Sequence, residues 1–165
     1  MDLITELAVS IGLLGGVATY LFLTVGTIQI WQCFMGWASF YHCGGGNDGL
    51  RNSIIANIFG AVVGFIALLV ITQVNLGVPG VLWAAIVVGV AAFVVVMASK
   101  VEALAAIPAA VYGFASCAGL GLLGGASLTD VNLANPLICT VASMVIGNLF
   151  GIASEKLAGV IKSGD

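Results

Sequence analysis

The sequence predicts an all-α polytopic membrane protein with six transmembrane helices. Apolar residues make up 61% of its 165 residues, whereas Asp, Glu, Lys and Arg together make up only 7%. The apolar residues fall into six stretches, each close to the roughly 20 residues that a helix needs to cross about 30 Å of hydrocarbon. The connections between the stretches are too short for a soluble domain, so we expect a single transmembrane domain over residues 1–165. The six stretches are 7–23, 26–43, 53–73, 80–98, 102–123 and 136–156.

The basic residues indicate how the spans are oriented. With six crossings, the two termini share a face with the second and fourth connections, and every Lys and Arg falls on that face. Basic residues accumulate on the cytoplasmic side of membrane proteins. We therefore expect both termini to lie in the cytoplasm. Gly46 and Asp165 would then be cytoplasmic, and Asn75 and Asp130 would face the outside. The basic residues are Arg51, Lys100, Lys156 and Lys162.

Composition and charge exclude several classes of protein. A net charge of −3 leaves no basic patch for nucleic acid. The N-terminus carries Asp2 and Glu6 where a secretory signal carries positive charge, so we expect no cleaved signal peptide. The four cysteines form no Cys-x-x-Cys motif and lie within apolar stretches or at their ends. There they act as small hydrophobic residues, so we expect no disulfides. No motif indicates a cofactor.

Short breaks delimit the first three spans. Only Thr24-Val25-Gly26 separates the first span from the second, and we expect a tight helical hairpin there. The second span ends in the sequence His-Cys-Gly-Gly-Gly-Asn-Asp-Gly at 42–49. Because glycines and Asn-Asp-Gly do not hold a helix, the third span is expected to start only at Asn52 and to continue to Gln73.

Prolines help to delimit the last three spans. Pro79 lies just before the fourth span and suits the first turn of its helix. Pro108 lies one or two turns inside the predicted fifth span, where we expect it to remove a backbone hydrogen bond and bend the helix. Asn135-Pro136 follows the longest outer connection and opens the sixth span.

Small residues recur at every fourth position on three spans. Such ridges let helix backbones approach closely in a membrane, where no hydrophobic force drives helices together. Either they pack helices within one subunit, or at least one of them forms the interface of a homo-oligomer. The ridges are Ala8, Gly12 and Gly16 in the first span, Ala56, Gly60 and Gly64 in the third, and Ser143, Gly147 and Gly151 in the sixth.

A local match indicates an internal duplication. Gly36-Trp37-Ala38-Ser39 in the second span resembles Gly113-Phe114-Ala115-Ser116 in the fifth. Two three-helix halves, about 1–76 and 77–165, would insert with opposite orientations and make these two spans equivalent. The match therefore predicts a 3+3 inverted repeat, and such repeats place substrate sites near the midplane, where the halves meet.

A second match, Asn57-Ile58-Phe59-Gly60 with Asn148-Leu149-Phe150-Gly151, lies in the third and sixth spans. Both asparagines are expected in the cytoplasmic half of their spans, whereas an inverted repeat places equivalent residues at opposite depths. We therefore interpret this second match as a coincidence.

Several segments also resemble a known family. In the first half they are Trp31-Gln32-Cys33-Phe34-Met35-Gly36, then Phe40-Tyr41-His42-Cys43 and the glycine-rich turn to Leu50; in the second they are Ile107-Pro108-Ala109-Ala110-Val111-Tyr112-Gly113 and Gly147-Asn148-Leu149-Phe150-Gly151. In these segments the chain resembles the YahC/YcdZ-like small bacterial inner-membrane proteins, a family of unknown function. The resemblance covers nearly the whole chain, which departs from it in a longer outer loop at 127–135. It implies the same topology and a location in the bacterial inner (plasma) membrane, and it assigns no substrate or active-site residue.

The predicted spans carry no Asp, Glu, Lys or Arg at their middle. Ion-coupled transporters usually keep an ionisable residue at that depth, so the pattern favours passive passage of an uncharged solute. Neutral polar side chains beside aromatic ones suit a small solute selected by pore width and hydrogen bonding. The same side chains also hydrogen-bond helices to one another, and both roles stay open. The candidate pore residues are Phe34, Gly36, Trp37, Ser39, Asn57, Tyr112, Gly113, Phe114, Ser116 and Asn148, with Thr27, Gln29, Gln32, Thr140 and Ser143 as further polar lining.

His42 is the only histidine and stands between Tyr41 and Cys43. A metal site needs three or four His, Cys or acidic ligands, and adjacent His-Cys is not ligand spacing on a helix, so we expect no metal. Adjacent residues on a helix also point to different faces, so we expect no Cys-His nucleophile and no enzyme activity. His42 then either caps the helix end at the membrane interface or forms a pH-sensitive gate at the cytoplasmic mouth.

These features predict a passive channel or facilitator for a small neutral polar solute, in the size range of urea, ammonia or short amides. In this hypothesis 36–39 and 113–116 face each other at the midplane and flank the narrowest point of the path. The competing hypothesis is a non-transporting membrane subunit that stabilises or regulates a partner complex. A polar path through each protomer would favour the channel. A dry core with every ridge buried against a partner chain would favour the subunit.

Overall fold

The computed structural model describes residues 2–125 and 127–163, and these residues form α-helices and one short 3₁₀ helix, with no strand among them. The prediction of an all-α fold with six helices is confirmed. The 3₁₀ helix, Glu102–Leu104, lies between α4 and α5. The α-helices are α1 (Leu3–Val25), α2 (Ile30–His42), α3 (Gly46–Gln73), α4 (Gly80–Ala98), α5 (Ile107–Leu123) and α6 (Pro136–Ser163).

Four of these helices, α1, α3, α4 and α6, are long and apolar enough to cross a membrane, with mean hydropathies between 1.9 and 2.8. The two others are shorter. The 13 residues of α2 span about 20 Å, and the 17 residues of α5 about 26 Å, at about 1.5 Å per residue. Neither α2 nor α5 covers about 30 Å of hydrocarbon by itself.

The short helix α2 nevertheless runs parallel to α6 between the two ends of the bundle. Near the start of both helices, Gln32 Nε2 donates to Thr140 Oγ1 at 2.8 Å. Further along both, Trp37 Nε1 donates to Ser154 Oγ at 3.0 Å. The non-helical residues 26–29 lead into α2 from the C-terminal end of α1.

The short helix α5 lies parallel to α3 in the same way. Asn57 Nδ2 donates to the Ala109 carbonyl oxygen at 2.8 Å near the start of α5, and Gly121 packs against Leu68 near its end.

The long helices α4 and α6 run antiparallel to α3. Trp83 near the start of α4 donates from Nε1 to the Val70 carbonyl oxygen near the end of α3, at 3.3 Å. The start of α3 meets the end of α6, where the Gly46 N–H donates to Glu155 Oε2 at 2.9 Å.

Successive helices from α2 to α6 therefore alternate in direction, as six passes require. One end of the bundle carries the start of α3 and the ends of α4 and α6, and with them Arg51, Lys100, Lys156 and Lys162. We call it the basic end. The connections 74–79 and 124–135 lie at the other end, which we call the opposite end. Asp165, predicted to be cytoplasmic, lies outside the described residues.

The predicted start of α3 at Asn52 is wrong, because the helix begins at Gly46 and includes Asn47-Asp48-Gly49. The chain reverses before it, at Gly44, Gly45 and Gly46, whose φ angles of 93°, 70° and 63° favour glycine. The Glu155 carboxylate accepts a hydrogen bond from the Gly46 N–H at the start of the helix. Asp48 places a second negative charge in the first turn. Both charges complement the positive N-terminal end of the helix dipole.

The predicted bend at Pro108 is also wrong. Residues 102–104 form the separate 3₁₀ helix, and α5 begins only at Ile107. Pro108 therefore stands in the first turn of α5, where a backbone N–H has no partner within the helix. Its missing donor costs nothing there, so it starts the helix and does not bend it.

The connection between α1 and α2 is longer than the predicted three residues. Gly26 ends α1 in the left-handed conformation, with φ of 71°, and its N–H donates to the Phe22 carbonyl oxygen. Because the helix resumes only at Ile30, the predicted span 26–43 contains just 13 helical residues.

The ridges of α3 and α6 pack helices inside the chain. A Cβ atom at Gly60 would overlap the Ala110 carbonyl oxygen of α5, and one at Gly147 would overlap the Cys33 carbonyl oxygen of α2. Each short helix is thus held against the backbone of a long one. The ridge of α1 differs, since Gly12 and Gly16 are exposed and a Cβ at either would meet nothing within 4 Å.

Candidate functional site

A cavity of about 910 Å³ opens at the opposite end of the bundle. Its walls come from the residues that lead into α2, the end of α5, the connection 124–135 and the start of α6. Carbonyl, amide and hydroxyl groups stand among the apolar side chains. The residues that line it are Thr27, Gln29, Leu120, Gly124, Gly125, Ser127, Asn132, Leu133, Ala134 and Cys139.

A smaller cavity of about 310 Å³ lies at the basic end. It is formed where α2 ends and where α3 and α5 begin. Its residues are His42, Cys43, Asn52, Ala105, Ala106, Pro108 and Ala109. Each cavity thus adjoins one end of α2 and one end of α5.

Two of the site residues predicted from the sequence, His42 and Tyr112, meet at the cavity of the basic end. His42 Nδ1 and the Tyr112 hydroxyl form a hydrogen bond of 2.9 Å, and their ring centroids are 5.8 Å apart. This bond joins the last residue of α2 to the second turn of α5. His42 therefore stands where a gate between these helices would stand.

Between the cavities, α2, α3 and α6 share a cluster of four buried polar side chains. We call Ser39, Ser53, Asn57 and Asn148 the inner polar group. Ser39 Oγ accepts from Ser53 Oγ at 2.7 Å and from Asn57 Nδ2 at 2.9 Å. Asn148 Nδ2 donates to Asn57 Oδ1 at 2.9 Å. Because Asn57 also donates to the Ala109 carbonyl oxygen, this group reaches a residue that lines the cavity at the basic end.

A second cluster, the outer polar group, contains Gln32, Ser116 and Thr140. Gln32 Nε2 donates to the Ser116 carbonyl oxygen at 3.0 Å and to Thr140 Oγ1 at 2.8 Å. In the part of the chain that the structure describes, the hydrogen-bond partner of Gln32 Oε1 is the thiol of Cys139, at 4.0 Å. Cys139 lines the large cavity, so the outer polar group adjoins the opposite end.

One atom in each group lacks a hydrogen-bond partner among the described residues. These atoms are Ser116 Oγ in the outer group and Asn148 Oδ1 in the inner group. Ser116 is 1% exposed and Asn148 0%. A buried polar atom without a partner is uncommon in folded proteins, and it marks a place where water or a ligand is expected.

The two glycines of the matching tetrapeptides do not flank an open path. A Cβ at Gly36 would overlap the Met144 backbone of α6, and a Cβ at Gly113 would overlap the Asn57 carbonyl oxygen of α3. Gly36 and Gly113 therefore do not face each other across a path in this structure, although residues 36–39 and 113–116 were expected to flank its narrowest point. Both are used for the close approach of a short helix to a long one.

The predicted aromatic residues of the second and fifth spans do not form a constriction. Phe34 is 42% exposed on the outside of the bundle, at a centroid distance of 6.0 Å from Trp37. Trp37 stacks on Phe150 and belongs to the core between α1, α2 and α6. Phe114 packs into the core between α3 and α4. Trp37 and Phe114 thus fill helix interfaces.

Sequence reasoning missed three polar residues. Ser53 was overlooked, although it precedes Asn57 by one helical turn and so shares its face. Glu155 lies at the end of the predicted sixth span, where the sequence assigns it no role, but it reaches the start of α3. Glu6 was placed in the N-terminal tail, yet it is 1% exposed within α1, and its Oε1 has no partner among the described residues. No His, Cys, Asp or Glu group able to hold a metal ion was found in 2–125 and 127–163.

Comparison with known proteins identifies a family and no closer relative. No curated protein and no solved structure matches the chain. One family model, described as "Protein of unknown function (DUF1097)", matches residues 8–159 and so extends from α1 to the last turns of α6. The chain, four of whose helices are long and apolar enough to cross a membrane, therefore belongs to the DUF1097 family, whose function is unknown.

Proposed function

We propose that this chain is a passive channel or facilitator for a small neutral polar solute. One observation supports the proposal most: cavities adjoin both ends of α2 and α5, and uncharged polar groups stand between the two cavities. The polar side chains there are amides and hydroxyls without a charged neighbour among their hydrogen-bond partners. An uncharged solute can replace its hydrogen bonds to water with hydrogen bonds to such groups, whereas moving an ion out of water costs far more free energy.

The same groups support a facilitator that opens transiently. Gln32, Ser39 and Asn148 are all 0% exposed, so the region between the cavities is closed to water. Passage then requires α2 and α5 to move apart, and the His42–Tyr112 hydrogen bond holds them together at the basic end. We include this gate in the proposal and assign the protein no enzymatic activity.

Reciprocal contacts support the 3+3 inverted repeat. Gly36 of the first half aligns with Gly113 of the second, and Gly60 aligns with Gly147. In both halves, the first glycine of each alignment and its counterpart pack against the backbone of a helix from the other half. The repeat would relate α2 to α5 and α3 to α6, with the two polar groups near its axis. The four approaches are Gly36 to Met144, Gly113 to Asn57, Gly147 to Cys33 and Gly60 to Ala110.

The remaining parts of the proposal concern location and assembly. The four basic residues at one end of the bundle support a cytoplasmic position for that end. A bacterial inner membrane and a narrower relationship to the YahC/YcdZ-like proteins rest on the sequence resemblance. A homo-oligomer is supported by the exposed ridge on α1, where Gly12 and Gly16 would allow a second helix to approach.

One observation favours the alternative, a non-transporting subunit that stabilises or regulates a partner complex. The polar region is sealed in this structure, and only Val87, Ala91 and Val95 of α4 are buried. Most of the α4 surface therefore faces lipid or another chain. Swelling of proteoliposomes in urea, acetamide and glycerol separates the two proposals, with water flow as the control. Faster solute entry than into protein-free liposomes supports the facilitator. If no solute enters faster, the channel proposal fails and the subunit alternative replaces it.

A further inference from the structure

The side-chain amides between the two cavities have used all their hydrogen-bond donors. Each amide nitrogen carries two N–H groups. Gln32 and Asn57 each use both, on the partners described above. Asn148 Nδ2 donates to Asn57 Oδ1 and to the Met144 carbonyl oxygen, both at 2.9 Å. No amide donor in either polar group is left for a solute.

The amide oxygens, by contrast, are left partly free. Asn57 Oδ1 accepts from Asn148 and, at 3.3 Å, from Ser53 Oγ. Within 2–125 and 127–163, however, Gln32 Oε1 has only the distant thiol of Cys139. Asn148 Oδ1 has no partner among the described residues, and neither has Ser116 Oγ. A hydroxyl group can accept a hydrogen bond while its own hydrogen rotates to another acceptor. The region between the cavities is therefore rich in unused acceptors.

We propose that this region selects neutral solutes that carry N–H or O–H donors, with Asn148 Oδ1 as the main acceptor and Ser116 Oγ as the second. The inference rests on the facilitator function proposed above and narrows its solute class. A donor-bearing solute gives a partner to atoms that otherwise stay buried without one. A solute that only accepts hydrogen bonds can take the Ser116 O–H, but it leaves Asn148 Oδ1 without a partner and the Ser116 lone pairs unused, so it is discriminated against.

A pair of solutes of similar size tests this selection. Acetamide and dimethyl sulfoxide have the same number of non-hydrogen atoms, but only acetamide has N–H donors. Rates of proteoliposome swelling are measured for both solutes, and the rate in protein-free liposomes is subtracted from each. We expect the protein-dependent rate to be at least about threefold higher for acetamide, the factor that corresponds to one hydrogen bond of ordinary strength in a membrane.

Ser116→Ala tests the role of Ser116 without a risk to folding, because its hydroxyl has no hydrogen-bond partner to lose among the described residues. We expect this variant to lower the preference for acetamide but not to abolish it, because Asn148 Oδ1 remains as an acceptor. Asn148→Leu should abolish the preference, in preparations that retain the parent's folded yield. Ser10→Ala is the matched control. Ser10 is equally buried, but its hydroxyl donates to the Leu7 carbonyl oxygen within α1, so the preference should not change.

The outcomes separate this inference from the function on which it rests. If the protein passes acetamide and dimethyl sulfoxide equally well above the lipid background, the donor selection is wrong while the facilitator function stands. If neither solute nor any other neutral solute passes, the facilitator function itself fails. If the preference is present but survives Ser116→Ala unchanged, the assignment of Ser116 is overturned.

Discussion

At the scale of single residues, Ser39 and Ser116 show how differently two similar positions can be used. They end the two matching tetrapeptides, and both are buried. Ser39 accepts hydrogen bonds from Ser53 and Asn57 and so ties α2 to α3. The hydroxyl of Ser116 has no partner among the described residues. The same side chain is therefore structural in one place and available to a ligand in the other.

This difference predicts unequal effects of removing the two hydroxyls. Ser39→Ala should lower the free energy of unfolding by about 1 kcal/mol, because two interhelix hydrogen bonds of about 0.6 kcal/mol each are lost. Ser116→Ala should leave it unchanged or raise it slightly, since no hydrogen bond is broken. Chemical unfolding in detergent micelles, followed by circular dichroism, measures both. Equal losses in the two variants would contradict the hydrogen-bond assignment.

At the scale of helices, packing depends on glycines that bring short helices against long ones. Gly36 and Gly147 join α2 to α6, and Gly60 and Gly113 join α5 to α3. In each pair the added Cβ would meet backbone atoms, which cannot move aside as a flexible side chain can. The ridges that the sequence shows on α3 and α6 thus serve packing within one chain.

Larger residues at these glycines should therefore disrupt the fold itself. Gly60→Leu, Gly147→Leu, Gly36→Val and Gly113→Val should each strongly reduce the folded yield in detergent, because a side chain there overlaps a neighbouring backbone.

The control is Gly12→Leu on α1, where an added side chain meets nothing within 4 Å. Its total yield of folded protein should equal that of the parent, as measured by size-exclusion chromatography over all folded species. A similar loss in Gly12→Leu would mean that glycine is needed for reasons other than close approach.

The contact between the end of α2 and the start of α5 gives a second prediction at this scale. Tyr112→Phe removes the hydrogen bond to His42 across the cavity of the basic end. If α2 and α5 part during passage, the closed arrangement loses about 0.6 kcal/mol, and solute flux should rise about threefold.

Tyr41→Phe is the matched control, because its hydroxyl bonds Ser154 of α6 at 2.8 Å and does not bridge α2 and α5. Stopped-flow swelling with acetamide compares the two variants. An unchanged flux in Tyr112→Phe, or an equal rise in Tyr41→Phe, would contradict the gate.

At the scale of the whole molecule, the alternating helix directions place charge unevenly. The basic end carries every Lys and Arg, whereas among the acids of the described residues only Asp130 lies in the connection 124–135 at the opposite end. This asymmetry is the physical basis for an orientation in the membrane.

Reporter fusions test that orientation. Fusions after Lys100 should be active in the cytoplasm, and fusions after Asn75 and Asp130 should be active outside. Lys100 is preferred to Gly46 because Gly46 begins α3 and bonds Glu155. The six-pass topology would be contradicted if Lys100 and Asn75 reported the same compartment.

The sequence alone determined the helical class, the number of helices and the place of most breaks between them. These features depend on local hydropathy and on local backbone preferences, which are read over windows of about 20 residues. The long outer connection and the start of α6 at Pro136 were predictable on the same grounds.

Only the tertiary structure decided what faces what. The start of α3 depends on Glu155, a residue more than one hundred positions away in the chain. Gly36 and Gly113 were expected to open a path, but each packs against a different long helix. The sequence places Asn57 and Asn148 at a similar depth but does not show that they touch. In the structure, Asn148 donates a hydrogen bond to Asn57. Such pairings are decided by the fit between distant backbones and by hydrogen bonds across helices, and periodicity within one helix carries no information about them.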